Sequence, residues 1–369
     1  MNLNNSFNIL SGIVFKDKKE YTFVDDINFN LIFKFENKNK VLFVNLTNIF
    51  IHEFEYFPLK DEFIDLVLEI KTKKEINKIV YIFNETCVGD TKEFDYIEQI
   101  TNIKYFILNY DLTSRMGKNN LFYPASLYSD FKYLINSEFE SAKTFLMNMN
   151  KEYRTLKKPY ICSFYSNHVN PVRIDIFNIL KKNDILKQST WSFHKNEEYY
   201  SRDKHDVDKF YKENENLIPY SFDGFIDDKK TSPLKHTYFS QWMCYFEVLT
   251  ESYFMRGIPN EKKYGPITEK LNKPILSALP FIIFGPKELK NELIGIGFSL
   301  NSPLYGFYDI ADDDDIKKGL SHIDRQTKLS KEELHKIYFD YLQEYHDNLN
   351  KYFTFLVENL NEIKQKLEK

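Results

Sequence analysis

The sequence predicts an α/β protein built as two domains, and three observations carry that expectation. The chain has 369 residues, more than one hydrophobic core usually organises. Short apolar runs of strand length recur along it, separated by segments of helical periodicity, which is the pattern of open α/β sheets. The last stretch, residues 330–369, is helical in composition. The expected division is 1–154 for a first α/β domain, 155–340 for a second, and 341–369 for a C-terminal helical segment packing back across the domains.

The first series opens with Val41-Leu42-Phe43-Val44-Asn45-Leu46 as a strand. Residues 61–78 then place Phe63, Ile64, Leu66, Val67 and Ile70 at helical spacing. Strands follow at Ile79-Val80-Tyr81-Ile82-Phe83 and Tyr105-Phe106-Ile107-Leu108, with a short helix between them at 94–100. A helix over 131–153 leads to the domain junction.

The second series begins near Lys158. Residues 160–165 read as a strand, and 172–181 as a helix with Arg173 in its first turn. Another strand is expected at 190–194, and a polar excursion with short helices at 201–233. A buried strand at 243–249 precedes a loop carrying Gly257, Pro259 and Gly265. Residues 268–276 form a helix and 281–284 a strand. Ser330 and Glu333 have the spacing of a capping box, in which each side chain satisfies a backbone N–H of the other's residue. Two consecutive α/β series put ligands near the C-terminal ends of their strands.

Composition removes several function classes. Hydrophobic residues make up 43% and charged residues 28%, ordinary for a folded chain. The 34 Phe and 26 Tyr are too many for aromatic content to mark a binding surface. With 50 Lys and Arg against 54 Asp and Glu, the net charge of -4 argues against a generally basic nucleic-acid binder and leaves a local basic cleft open. Cys87, Cys162 and Cys244 have no paired spacing, so neither a disulfide framework nor a cysteine-rich zinc site is expected. No apolar run reaches the ~18 residues of a membrane span. Residues 1–11 lack the basic start and apolar core of a signal peptide. These readings predict a cytoplasmic protein with no integral membrane association.

Metal chemistry finds little support. Asp312-Asp313-Asp314-Asp315 lacks the glycine and spaced oxygens of a calcium loop and reads as an acidic surface turn. His194, His205 and His322 are isolated, and Asp203 with His205 and Asp206 does not make a metal site.

The most informative local chemistry lies at Thr268-Glu269-Lys270 and Lys273. Residues 270 and 273 share a helix face. A helix N-terminus favours phosphate through its N–H groups and dipole. Either lysine can neutralise a diphosphate, and Glu269 can accept hydrogen bonds from ribose hydroxyls. The same charges also fit an ordinary solvent-facing helix start. Arg173 stands at another helix start, where a guanidinium can grip phosphate oxygens or serve as a surface ion-pair partner. Glu247 and Glu251, on an apolar strand and the loop beside it, can bind sugar hydroxyls or close strand-end hydrogen bonds.

An ordered series carries a family resemblance. Phe246-Glu247-Val248-Leu249-Thr250-Glu251 comes first, then Ile267-Thr268-Glu269-Lys270, Lys273-Pro274-Ile275-Leu276 and Leu279-Pro280-Phe281-Ile282-Ile283-Phe284-Gly285. Gly297-Phe298, Tyr308-Asp309, Asp324-Arg325 and His346-Asp347-Asn348 continue it. Over residues 158–350 the chain resembles the donor half of two-domain GT-B glycosyltransferases. It is similar to uncharacterised viral and bacterial members and, more distantly, to the α-1,3-fucosyltransferase family.

The resemblance implies two Rossmann-like domains facing across a cleft, with a C-terminal helical segment. It implies a GDP- or UDP-sugar donor as substrate and no cofactor. Arg173, Thr268, Glu269, Lys270 and Lys273 would then bind the donor, with Glu247 and Glu251 beside it. Glu269 would meet the ribose, and Lys270 and Arg173 the diphosphate. Positive side chains and a helix dipole would replace a divalent ion.

An inverting transfer also needs a base near the acceptor hydroxyl. Glu85 follows the strand at 79–83 and is the first candidate; Asp111, after 105–108, is the second. Asp90 is a further carboxylate in the same region, and loop capping is the competing role for each. The expected activity is inverting, metal-independent glycosyl transfer to a glycan or other hydroxyl-bearing acceptor, with a modified nucleic acid also open. The alternative is a non-catalytic carbohydrate- or nucleotide-binding or structural protein that retains the fold.

Overall fold

The computed structural model describes residues 7–16, 20–30, 41–45, 61–82, 92–109, 119–122, 139–166, 169–193, 204–218, 220, 241–251 and 269–368. Two compact units emerge. One comprises Met1–Ala142, Pro266–Glu269 and Thr354–Lys369; the other comprises Lys143–Gly265 and Lys270–Phe353.

The first unit contains β1 (Phe7–Lys16), β2 (Glu20–Asn30), β3 (Val41–Asn45), α1 (Asp61–Lys74), β4 (Lys78–Ile82), α2 (Lys92–Thr101), β5 (Lys104–Asn109) and β6 (Asn120–Phe122). Its strands form one sheet in the order β2-β1-β3-β4-β5-β6. β1 and β2 make an antiparallel hairpin, and every other neighbouring pair is parallel. β4 is buried along its whole length, as a parallel strand covered on both faces must be. Phe63, Ile64, Val67 and Ile70 give α1 its buried stripe. Tyr81 of β4 packs on Phe94 of α2, with ring centroids 4.5 Å apart.

The second unit begins within α3 (Phe139–Tyr153) and continues through β7 (Cys162–Ser166), α4 (Pro171–Lys182), β8 (Thr190–Phe193), α5 (Lys204–Glu213) and β9 (Phe246–Thr250). Then come α6 (Glu269–Leu276), β10 (Phe281–Gly285), α7 (Leu289–Gly295), β11 (Gly306–Asp309), α8 (Asp313–Gln326), α9 (Lys331–Asp340) and α10 (Leu342–Glu368). Residues 354–368 of α10 count with the first unit. The sheet order is β11-β10-β9-β7-β8, all parallel. Numbered within the unit this is the doubly wound order 2-1-3-4-5. β7 steps outward to β8 on one side, and β9 steps to β10 on the other. Right-handed crossovers therefore place α4 and α6 on opposite faces.

Two local devices set the helices that flank this sheet. Asp312 caps α8, its carboxylate accepting from the N–H groups of Asp314 and Asp315 at 2.9 and 3.0 Å. The acidic run expected to be a surface turn is thus the cap and first turn of a helix, where negative charge meets the positive end of the dipole. Gly319 lets α8 lie close on the sheet: a Cβ there would come within 2.5 Å of the Phe284 ring. His322, on the same helix, puts Nδ1 2.8 Å from the Tyr308 hydroxyl and Nε2 2.9 Å from the Pro303 carbonyl. The carbonyl can only accept, so Nε2 carries the proton and Nδ1 accepts from Tyr308. The expected capping box is present, with Ser330 and Glu333 reciprocally bonded at the start of α9.

Both units are parallel-sheet α/β structures flanked by helices. Their element content matches a GT-B-like pair of Rossmann-like domains with C-terminal helices.

Candidate functional site

The site is built at the C-terminal ends of β7 and β9, where the chain leaves in opposite directions. In open α/β sheets this switch point is where ligands bind. α4 starts there because Asn170 and Pro171 start it. The Asn170 side chain accepts from the Arg173 N–H at 2.9 Å, and Pro171 fills a position whose N–H would have no helical partner.

Arg173 is thereby fixed in the first turn, and only 3% of it is exposed. Its Nε donates to the Thr250 hydroxyl at 2.5 Å and an Nη donates to the Thr250 carbonyl at 3.1 Å. Thr250 is the last residue of β9.

The next residue, Glu251, is equally buried at 3%. Its N–H donates to the Phe284 carbonyl at 2.9 Å, which carries the β9–β10 ladder one residue past the strand. The Lys270 ammonium, in the first turn of α6, lies 3.6 Å from the Glu251 carboxylate and is 28% exposed. A Cβ on Gly285 would sit 3.4 Å from Glu251 Cγ, so glycine leaves room for that side chain.

Successive residues of a strand point to opposite faces. The end of β9 therefore sends Thr250 toward α4 and Glu251 toward α6. Each side chain meets a cation from the first turn of the helix on its own face. Two positive groups and two helix N-termini bracket one strand end, an arrangement suited to phosphate oxygens.

No family model matches the chain, and no curated protein matches it.

The remaining sequence-predicted residues divide into three groups. Glu85, Asp111 and Thr268, together with Asp90, lie outside the described residues. Glu269 opens α6. Glu247 and Lys273 belong to a second cluster. Glu247 stands four residues before Glu251, about 13 Å back along β9, and is 2% exposed.

Glu247 accepts from Gln241 Nε2 at 2.5 Å, and Gln241 Oε1 accepts from the Ser277 hydroxyl at 3.2 Å. Burial pushes the Glu247 carboxyl up to about 8, against the opposing pull of the Lys273 charge. This is the entry edge of the strand, and the structure does not bring these two residues to the bracket at its end.

Asn348 also works at that edge. It accepts from the Ser299 N–H at 2.8 Å and donates to the Ser299 carbonyl at 2.6 Å, fastening the segment that leads into β11. Among the described residues, no group of three or more His, Cys, Asp or Glu is placed to hold a metal ion, and no helix is long and apolar enough to cross a membrane. Cys162 and Cys244 are buried and form no disulfide.

Sequence reasoning missed Thr250 and Asn170. The Asn-Pro pair before an apolar helix was a readable start signal. Nothing marks Thr250 in the sequence, because its role exists only once the fold brings Arg173, in the first turn of α4, to the end of β9.

Proposed function

We propose that the second unit binds a nucleotide sugar by its diphosphate at the end of β9, and that the chain is an inverting, metal-independent glycosyltransferase. One observation carries this reading: Arg173 and Lys270 reach the same strand end from opposite faces, at the switch point of a doubly wound sheet. The sequence resemblance to the GT-B and fucosyltransferase pattern supports it, since the arginine and lysine it singles out are these two.

In this reading Arg173 and Lys270 neutralise the diphosphate and stabilise the negative charge that grows on it as the glycosidic bond breaks. Arg173 arrives pre-positioned by Thr250, so little ordering is required on binding. Lys270 exchanges Glu251 for a phosphate oxygen, and Glu269, which opens α6, is the residue that the resemblance assigns to the ribose. The donor is a GDP- or UDP-sugar. A carboxylate of the first unit, Glu85 before Asp111, removes the proton from an acceptor hydroxyl, which attacks the anomeric carbon opposite the leaving diphosphate. The acceptor is a glycan or another hydroxyl-bearing molecule, a modified nucleic acid included.

A thermal-shift panel of GDP, UDP, CDP and their sugars, with and without EDTA, tests this. A ligand that binds the folded state raises the melting temperature. The expected result is stabilisation by one nucleoside diphosphate and its sugar, undiminished by EDTA. No response at saturating ligand contradicts the reading. Stabilisation without sugar transfer or hydrolysis would leave a nucleotide-binding protein and remove the catalytic part.

A further inference from the structure

Gly285 closes β10, one strand away from Glu251, and the fold does not require a glycine there. Gly319 and Gly306 are glycines because a Cβ would strike neighbouring atoms at 2.5 and 2.8 Å, and Gly297 because its φ is +100°. Gly285 has no positive φ. A Cβ on it would meet Glu251 Cγ at 3.4 Å and Ile283 at 3.6 Å, which are ordinary contacts. Alanine therefore fits the strand, yet the position is buried and carries no side chain. A glycine of this kind marks a place where a ligand comes close to the backbone.

The residues on either side of it are acidic. Gly285 pairs with Asp309 at the end of β11, and the Glu251 N–H extends the β9 ladder to the Phe284 carbonyl. Neighbouring residues of a parallel sheet point to the same face, so Glu251, Gly285 and Asp309 form one row across adjacent strand ends, about 10 Å from the first Cα to the last. Both carboxylates are nearly sealed, at 3% and 6% exposure. Asp309 is held by its own turn, Oδ1 accepting from the Ala311 N–H at 2.9 Å. The row lies on the face of α6, whose Lys270 ammonium is 3.6 Å from Glu251.

We infer that this notch takes the transferred sugar of the nucleotide-sugar donor and selects one with free hydroxyls at carbons 2 and 3. The inference rests on the diphosphate reading of the end of β9. Two carboxylates accept hydrogen bonds and donate none, so the group between them must donate. On a nucleotide sugar, carbon 1 carries the diphosphate and carbon 2 follows it. With the diphosphate on Lys270, the 2-hydroxyl falls beside Glu251, which has just given up that ammonium. The 3-hydroxyl continues along the row toward Asp309. The missing Cβ of Gly285 lets the edge of the ring rest on the backbone between them. Hydroxyl-to-carboxylate bonds are charge-assisted and among the stronger ones. A 2-acetamido group puts a carbonyl oxygen and a methyl group against the same carboxylates, so N-acetylated hexosamines are disfavoured.

The test is calorimetric titration of the full chain with GDP, UDP, their mannose, fucose, glucose and galactose derivatives, and the 2-deoxy-2-fluoro analogue of the sugar nucleotide that binds best. The expected result is one sugar nucleotide bound at least about tenfold more tightly than its nucleoside diphosphate. The fluorinated analogue loses that advantage, because fluorine cannot donate. Gly285→Ala fills the notch and removes the same advantage, with nucleoside diphosphate affinity unchanged. Asp309→Asn, whose amide oxygen still accepts from Ala311, weakens the sugar nucleotide alone. Equal binding of sugar nucleotide and nucleoside diphosphate by wild type overturns the inference and leaves the diphosphate reading standing. So does a fluorinated analogue bound as tightly as its parent, or a Gly285→Ala variant that weakens both ligands alike, since the methyl group then disturbs the bracket and no sugar. A wild type that binds neither kind of ligand contradicts the diphosphate reading itself, and this inference falls with it. The wild-type comparison of parent and fluorinated sugar decides the question even where the variants do not fold.

Discussion

Arg173 holds Thr250 twice, by its hydroxyl and by its carbonyl, and so ties the first turn of α4 to the last residue of β9. Both residues are nearly sealed from solvent, at 3% and 4% exposure. The guanidinium is therefore part of the fold before it is part of any site. Replacing it with methionine keeps the stem but leaves the Thr250 groups without their donor. Arg173→Met should cost about 1–3 kcal/mol of stability, read by urea denaturation, and should weaken nucleoside diphosphate binding by at least about tenfold.

Lys270 differs, because it is part exposed and opposes a buried carboxylate. Lys270→Ala should lower diphosphate affinity by about tenfold with a smaller loss of stability than Arg173→Met. Glu251→Gln separates two roles for its partner. If Glu251 only parks the ammonium, the variant binds a nucleoside diphosphate at least as tightly as wild type. If it also holds a sugar hydroxyl, the nucleotide sugar loses affinity while the nucleoside diphosphate does not. Calorimetry with both ligands reads the difference.

Glu247 gives stability a pH dependence of definite sign. Its carboxyl titrates near 8 in the folded chain, against an ordinary value of 4.5. Between those values the folded state keeps a proton that the unfolded state has lost. Its contribution is present below about 4.5 and is lost as pH rises through about 8. Glu247→Gln keeps the shape and cannot ionise, so it should flatten that part of the stability profile. Lys273→Ala should move the upper limit higher, because the Lys273 charge holds the carboxyl down. Chemical denaturation midpoints from pH 4 to 9 measure both.

Gly319→Ala should be strongly destabilising. Its Cβ would fall 2.5 Å from one atom of the Phe284 ring and 2.7 Å from Tyr308 Cδ2. Alanine normally favours a helix by about 1 kcal/mol over glycine, so a net loss of about 1–3 kcal/mol in the melting curve would show that packing outweighs propensity. A stabilised variant would contradict the close approach of α8 to the sheet.

The sequence made the central elements legible because parallel strands buried on both faces are continuous apolar runs. The strands expected at 79–83, 105–108, 160–165 and 281–284 appear as β4, β5, β7 and β10, each within two residues at either end. β1 escaped because its register shifts between Leu10 and Gly12, which breaks the alternation that would announce a half-buried strand. β11 escaped for brevity: Gly-Phe-Tyr-Asp is four residues, two of them only part buried. The acidic run concealed a helix start because four aspartates carry no apolar periodicity of their own.

The site was legible in part. Arg173 and Lys270 were named from helix starts and resemblance, and the fold brings both to β9. Glu247 and Glu251 looked equivalent in sequence. Four residues of extended chain set them at different ends of one strand, a distance no local pattern reveals.

The most direct measurement is calorimetric titration of the intact chain with GDP and with UDP, for wild type, Lys270→Ala, Arg173→Met and the double variant. A diphosphate seated on the bracket requires wild type to bind one of the two, each single variant to bind more weakly, and the double variant to lose binding. Wild-type affinity retained in the double variant would contradict the assignment of the end of β9 as the diphosphate site.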